Sequence, residues 1–385
     1  MNNFTFRNPT KIHFGKGQIA QLREEIPADA KVLITYGGGS IKKNGVLDQV
    51  HTALNGITYF EFGGIEPNPH FETLMKAVEL VKQEKITYLL AVGGGSVLDG
   101  TKFISGAALY EGDPQEMLYT RAGKVKAAIP LGCVLTLPAT GSEMNGNFVV
   151  TRWETKDKLG MFSDLVRPQF SILDPETTYS LPTRQIGNGV VDAFVHIIEQ
   201  YMTYPVNAKV QDQYAEALLR ILMEDGPIAL KDPTNYEVRA NLMWAATQAL
   251  NGTLSLGVPG DWANHAIGHE ITALYGLDHA QTLAIVVPAV WTYKKQQKHA
   301  KLLQYAERVL GLTSGSETER VNDAIAKTQA FFEIMGVKTH FSDYDLDASA
   351  IPAIVEKLIA HKRLKLGEHL DITPEDVGEL LKPAV

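Results

Sequence analysis

From residue 11 to about 175 one pattern recurs along the chain: a short β-rich apolar run, then glycines, then a segment of helical period. KVLITYGGGS (31–40), ITYFEFGGIEPNP (57–69), YLLAVGGGS (88–96) and IPLGCVLTLPATGSE (129–143) are its clearest copies. These runs are apolar almost throughout, without the in/out alternation of a sheet wetted on one face. Strands buried under helices on both faces require such runs, so a parallel sheet in an α/β nucleotide-type domain is expected over 1–180. After LPTRQ (181–185) the β-rich runs stop, and amphipathic helical patterns predict an all-helical second domain over 181–385. A Ser316/Glu319 capping box opens one of its helices, and Thr373 followed by Pro374 opens the last. No low-complexity linker separates the halves, which predicts a packed hinge near 180 and a ligand cleft between the domains.

Charge and composition exclude several functions. Against 36 basic residues stand 44 acids, a net −8, so no general positive field is available for a nucleic-acid backbone. Cys133 is the single cysteine and cannot form an internal disulfide. No charged region followed by an apolar one precedes residue 30, and a cytoplasmic location is expected. The uncharged stretch 240–260 is long enough to cross a bilayer but carries Asn241, Thr247, Gln248, Asn251, Thr253, Ser255 and Pro259. It predicts a buried helix plus a loop, with no membrane partner.

The glycine runs point to a dinucleotide. GGGSVLDGTK (93–102) follows an apolar strand and opens a helix, so Gly94, Gly95 and Ser96 are candidates to cradle a diphosphate at a helix N-terminus. A tight strand-to-helix turn needing glycine only for positive φ accounts for one such run equally well. The second copy, at 37–40, stands where a first βα turn meets the adenosine end of a dinucleotide. An NAD-specific site typically places an acid there for the ribose 2′-hydroxyl, and none occurs between Tyr36 and Val46. Gly38, Gly39 and Ser40 offer N–H and O–H donors instead, with Lys42 and Lys43 following, and NADP(H) is expected. TLPATGSE (136–143) adds the hydroxyls of Thr136, Thr140 and Ser142, or is an ordinary Ser/Thr turn.

The histidines point to a metal. Asp192 and His196 stand at i, i+4 in GNGVVDAFVHIIEQY (187–201), a segment otherwise apolar around them. A buried acid beside a histidine needs a satisfied network or a cation. In DWANHAIGHEITALYGLDHAQ (261–281), His265 and His269 form a second i, i+4 pair on a helix ending at Gly276. His279 follows from the next loop at the start of another helix. The zincin pattern H-E-x-x-H is absent because Glu270 follows the pair. Imidazoles plus one carboxylate suit Zn²⁺ or Fe²⁺ better than Mg²⁺ or Ca²⁺. Five candidates exceed what a tetrahedral ion with an open position needs, so one of them is expected to stand outside the ligand set. No Arg or Lys adjoins these motifs, which speaks against carboxylate-bearing substrates.

GGGSVLDGTK, TLPATGSE, GVVDAFVHIIEQY and GHEITALYGLDHA, in this order along essentially the whole chain, resemble the iron-containing (group III) alcohol dehydrogenases. Within that family the resemblance is to the zinc-bearing, NADPH-dependent aldehyde reductases and the butanol dehydrogenases. It implies a dehydroquinate synthase-like fold, with an α/β dinucleotide domain, a helical metal domain and commonly a homodimer. Carried over by residue, the metal ligands are Asp192, His196, His265 and His279, and an additional active-site histidine is His269. The dinucleotide contacts implied are Gly38, Gly39, Ser40, Asn68, Gly94, Gly95, Ser96, Asp99, Thr136, Ser142, Asn145 and Lys158. SEMNGNFVV (142–150) departs from the family pattern through the bulk of Met144 and Phe148.

The implied reaction moves hydride between NADP(H) and a small aldehyde or primary alcohol on a divalent ion. His269, one turn from His265, is expected to assist proton delivery without being indispensable. Two readings stay beside it. One is a dehydroquinate synthase-like or glycerol dehydrogenase-like enzyme; the missing acid after Tyr36 and the lack of a basic phosphate pocket speak against the former. The other is a nucleotide- or metal-binding protein without turnover, for which so full a ligand set is more than is needed.

Overall fold

The computed structural model describes residues 1–385 and divides into two compact units. The sheet unit comprises Arg7–Leu181 and Thr234–Thr247; the helical unit comprises Met1–Phe6, Pro182–Pro233 and Gln248–Val385. The chain therefore crosses between units more often than a single junction near 180 implies.

Six parallel strands form the sheet: β1 (Lys11–Phe14), β2 (Lys31–Thr35), β3 (Thr58–Phe62), β4 (Tyr88–Gly94), β5 (Leu131–Leu137) and β8 (Phe170–Leu173), in the order β1-β8-β5-β4-β2-β3. Between β5 and β8 the chain inserts an antiparallel hairpin, β6 (Asn147–Arg152) and β7 (Asp157–Phe162). The apolar runs follow from burial on both faces. Leu33, Leu89 and Ala91 join one core with Leu98, Phe103 and Ile104, while Val32, Ile34, Leu90 and Val92 join a second with Val50, Leu54 and Ile172. Strand β3 is the exception. It pairs on one side only, and all five of its residues are exposed or half-buried, so its apolar composition serves an edge rather than a covered strand.

Strand order also explains where the glycine turns go. After β3 the chain returns to the other side of β2, so β2 and β4 are neighbours with a reversal of winding between them. The turns leaving their carboxyl ends lie side by side, and the turn leaving β5 lies next to that of β4. This is the crevice where open α/β sheets receive nucleotides.

The helical unit contains no strand after β8. Its helices include Thr183–Tyr201, Lys209–Lys231, Ala263–Tyr275, His279–Tyr293 and Glu317–Ile334. Both expected starts are present as capping boxes, Ser316 with Glu319 and Thr373 with Asp376, the latter with proline in the first turn. The uncharged 240–260 stretch is the last ten residues of the Tyr236–Ala249 helix followed by a loop. No helix is long and apolar enough to cross a membrane.

Candidate metal centre and cofactor loops

All five predicted metal-site residues lie on three helices of the helical unit. Thr183–Tyr201 carries Asp192 and His196 one turn apart. It packs closely because Gly187 has no side chain; a Cβ there would stand 2.1 Å from the Met335 carbonyl oxygen. Ala263–Tyr275 carries His265 and His269, starts at Trp262 in the left-handed region (φ 60) and stops at Gly276 (φ 72). His279 is the first residue of the next helix, fixed by a capping box between Asp278 and Gln281.

Side-chain atoms of Asp192, His265 and His279 lie within 4.8 Å of one another. Asp192 Oδ1 is 3.8 Å from both His279 Nε2 and His196 Nδ1, beyond hydrogen-bond reach, and this buried oxygen has no hydrogen-bond partner. A carboxylate oxygen left so in an apolar helix is costly, and a cation among the imidazoles would satisfy it. The residues present therefore fit a divalent ion. His196 stands beside this trio with its ring stacked on His265 at 4.6 Å. The His269 ring is 5.2 Å from that of His279 and 6.4 Å from that of His265.

Sequence reasoning missed the group that orients His265. Glu199, fully buried, accepts from the His265 backbone N–H at 3.0 Å, and the same oxygen lies 3.1 Å from ring Nδ1. With Nδ1–H donated to Glu199, Nε2 would be the nitrogen to ligate an ion. Burial first, then the charge of Asp261, pushes the Glu199 carboxyl up to about 8. Asp261 in turn pairs with buried Lys298 at 2.8 Å, and Lys298 with Glu368 at 2.7 Å. The expected absence of cations near the motifs also needs correction. Arg184 pairs with Asp278 at 2.7 Å, one residue before His279.

In the sheet unit the turns after β2, β4 and β5 hold most of the predicted dinucleotide contacts. Gly39 adopts φ +91 with open space beside it, a backbone that needs glycine. The glycines at 93–95 have no positive φ. They are small because neighbours approach: a Cβ on Gly94 would stand 2.9 Å from Leu137, and one on Gly95 2.7 Å from Thr140. Asn68, left-handed at φ 56, donates its backbone N–H to Ser96 Oγ at 3.3 Å. Thr136 is buried near the end of β5. Lys158 of β7 is buried, and burial raises the Asp99 carboxyl above its ordinary value against the opposing charges of Lys102 and Lys158.

Two expectations change here. The Ser142 hydroxyl is not a free donor, because its proton goes to Asp99 Oδ1 at 2.8 Å. An acid also approaches the turn after β2. Glu61 of β3 accepts from the Tyr36 hydroxyl at 3.0 Å and stands 3.0 Å from His51 Nε2 and 3.5 Å from Lys42 Nζ. Those partners already occupy it, and it enters from the neighbouring strand, outside the segment between Tyr36 and Val46.

The iron-containing alcohol dehydrogenase family matches residues 9–175, and the C-terminal domain of the Fe-containing alcohol dehydrogenase family matches 187–385. The NADPH-dependent aldehyde reductase YqhD of Escherichia coli is 63% identical over 375 residues, 97% of each chain. A probable NADH-dependent butanol dehydrogenase of Bacillus subtilis is 42% identical over the whole of both chains. Among solved structures, that of E. coli K-12 YqhD superposes with a TM-score of 0.99 at 61% identity, covering 100% of this chain and 99% of the other. The NADH-dependent butanol dehydrogenase A of Thermotoga maritima superposes at 0.95 with 39% identity, covering 100% and 99%. The chain belongs to the iron-containing alcohol dehydrogenase family.

Proposed function

We propose that the protein is a metal-dependent, NADP(H)-linked alcohol dehydrogenase and aldehyde reductase, moving hydride between the nicotinamide and a small aldehyde or primary alcohol. The convergence of Asp192, His265 and His279 on a buried carboxylate oxygen without a hydrogen bond carries this reading. Asp192, His196, His265 and His279 would hold the ion, and a donor set of imidazoles and one carboxylate favours zinc or iron(II). Bound there, the ion supplies a Lewis acid for the carbonyl and for the negative charge developing on its oxygen as hydride arrives.

The chain's own residues do the rest. Glu199 holds the His265 ring at Nδ1, so that Nε2 would be the ligating nitrogen, and His269, outside the ligand set, passes a proton towards the nascent alcohol. Gly38, Gly39, Ser40, Asn68, Gly94, Gly95, Ser96, Asp99, Thr136, Ser142, Asn145 and Lys158 receive the dinucleotide. For NADP(H) speak the aldehyde reductase relative, named NADPH-dependent at 63% identity, and the engagement of Glu61 by Tyr36, His51 and Lys42.

The test is elemental analysis of the purified protein, then aldehydes assayed with NADPH and NADH in parallel before and after chelation. Bound zinc or iron, faster loss of NADPH than NADH, and activity lost on chelation and restored by metal are expected. Undiminished turnover by metal-stripped protein overturns the reading.

A further inference from the structure

Lys102 lies on the Gly95–Ala107 helix, seven residues after the glycine turn, and is completely buried. A lysine so close behind a glycine-rich turn invites the role of phosphate ligand. The structure turns it the other way. Its ammonium donates to Ser142 Oγ at 2.8 Å, to the Asn145 carbonyl at 2.9 Å and side-chain oxygen at 3.2 Å, and to the Asn147 carbonyl at 2.8 Å. An ammonium has three protons, and four oxygens of one short segment already share them. None remains for a phosphate.

Asp99 precedes Lys102 by three residues, on the same helical face. Its two oxygens accept from Ser142 Oγ at 2.8 Å and from the Val149 backbone N–H at 3.0 Å. Ser142 thus accepts from the lysine and donates to the aspartate. Asn145 turns inward as well, its side-chain oxygen accepting from the Asn147 N–H at 2.9 Å and its amide donating to the Thr140 carbonyl at 3.3 Å. Two opposite charges on one helix brace the whole 142–149 segment. The price of burying the ammonium shows in its proton affinity, which burial brings down to about 8 against the pull of Asp99 and Glu143. An apolar side chain in its place would leave these four oxygens without their donor, so the ammonium is what holds the segment.

We propose that Lys102 is a positioning residue for the cofactor, holding the 142–147 turn in the conformation that receives NADP(H). This rests on the reading that Asp99, Ser142 and Asn145 border the dinucleotide. Lys102 acts through that turn and does not touch the cofactor.

The test uses the metal-loaded enzyme, its Lys102→Met and Lys102→Gln variants, NADPH affinity by fluorescence titration, steady-state constants, metal content, and amide hydrogen exchange with and without NADPH. In the wild type, NADPH should slow exchange across 142–147; binding that leaves this turn unprotected overturns the cofactor placement itself, whatever the variants do. With that protection seen, both variants should bind NADPH about 10- to 100-fold more weakly, since a small misplacement of a binding element costs on that scale. The KM for NADPH should rise in step, while the aldehyde KM and bound metal stay within about twofold. Exchange at 142–147 should quicken in the free variants. Lys102→Gln, which retains two N–H donors, decides should Lys102→Met fail to fold. NADPH affinity within about twofold of wild type, or equal damage to aldehyde KM and metal content, overturns the proposal. Failure of both variants to fold also overturns it, making Lys102 a folding residue.

Discussion

The metal centre and the cofactor loops use their polar groups in opposite ways. In the helical unit, Asp192 Oδ1 is buried without a hydrogen bond, with imidazoles of two further elements beside it. In the sheet unit, Asp99, Lys102, Ser142 and Asn145 satisfy one another. A cation site must keep lone pairs uncommitted until the ion arrives. A dinucleotide site can rely on backbone N–H groups and stiff turns, so its side chains are spent on holding those turns still.

The sharpest way to break this contrast is Asp192→Ala. Bound metal should fall to near zero and turnover by about a thousandfold or more, because the Lewis acid goes with its ligand. The same variant should be no less stable than metal-stripped wild type, since it removes a buried carboxylate oxygen that no hydrogen bond satisfies. Thermal unfolding of both metal-free proteins checks this. A clear loss of stability would show that Asp192 serves the fold, and the contrast would fail.

Glu199→Ala probes a carboxylate in the metal region that is already committed. Freed from Glu199, the His265 ring loses its fixed tautomer and orientation, and metal affinity should drop about 10- to 100-fold. The rate of metal transfer to a chelator measures it. NADPH affinity should not follow, because Glu199 belongs to the helical unit and the cofactor turns to the sheet unit. Parallel loss of both would mean that the two regions are not independent.

How much of this could be read from the sequence follows the same divide. The strands ending in glycine, the parallel sheet, the helical second half and both capping boxes rest on local patterns, namely continuous apolar runs, period 3.6 or fixed short spacing, and they were legible. Local spacing also singled out five metal-site candidates, Asp192, His196, His265, His269 and His279, and only the resemblance separated His269 from the other four. Glu199 was not legible, although it lies on the same helix as Asp192 and His196, because its meaning comes from His265, 66 residues away. Glu61 was hidden for the same reason, reaching the Tyr36 hydroxyl from the neighbouring strand. The glycines at 93–95 were read as phosphate cradle or positive-φ turn, and neither covers the packing that Leu137 and Thr140 impose. Lys102 was visible as a residue, but which way its ammonium points is decided by a turn 40 residues later.

The smallest expected effect is a pH dependence that separates the two uses of Lys102. Its folded pKa is depressed from 10.5 to about 8, chiefly by burial, with Asp99, Glu143 and Cys133 pulling upward and Arg167 downward. Between those values the unfolded chain holds the proton and the folded chain does not, so this group's contribution makes the fold more stable as pH rises. The stability of wild type relative to Lys102→Met should therefore climb across that window, by at most about 1.4 kcal/mol per pH unit. Below about 8 the gap should be flat. NADPH affinity should move the other way, because a neutral amine has lost one N–H donor and its charge, and the turn it holds slackens. Denaturant unfolding and fluorescence titration at the same pH values read both slopes. Opposite slopes in wild type that vanish in Lys102→Met assign them to this lysine, whereas an affinity that ignores pH would mean the turn holds its shape without the charge.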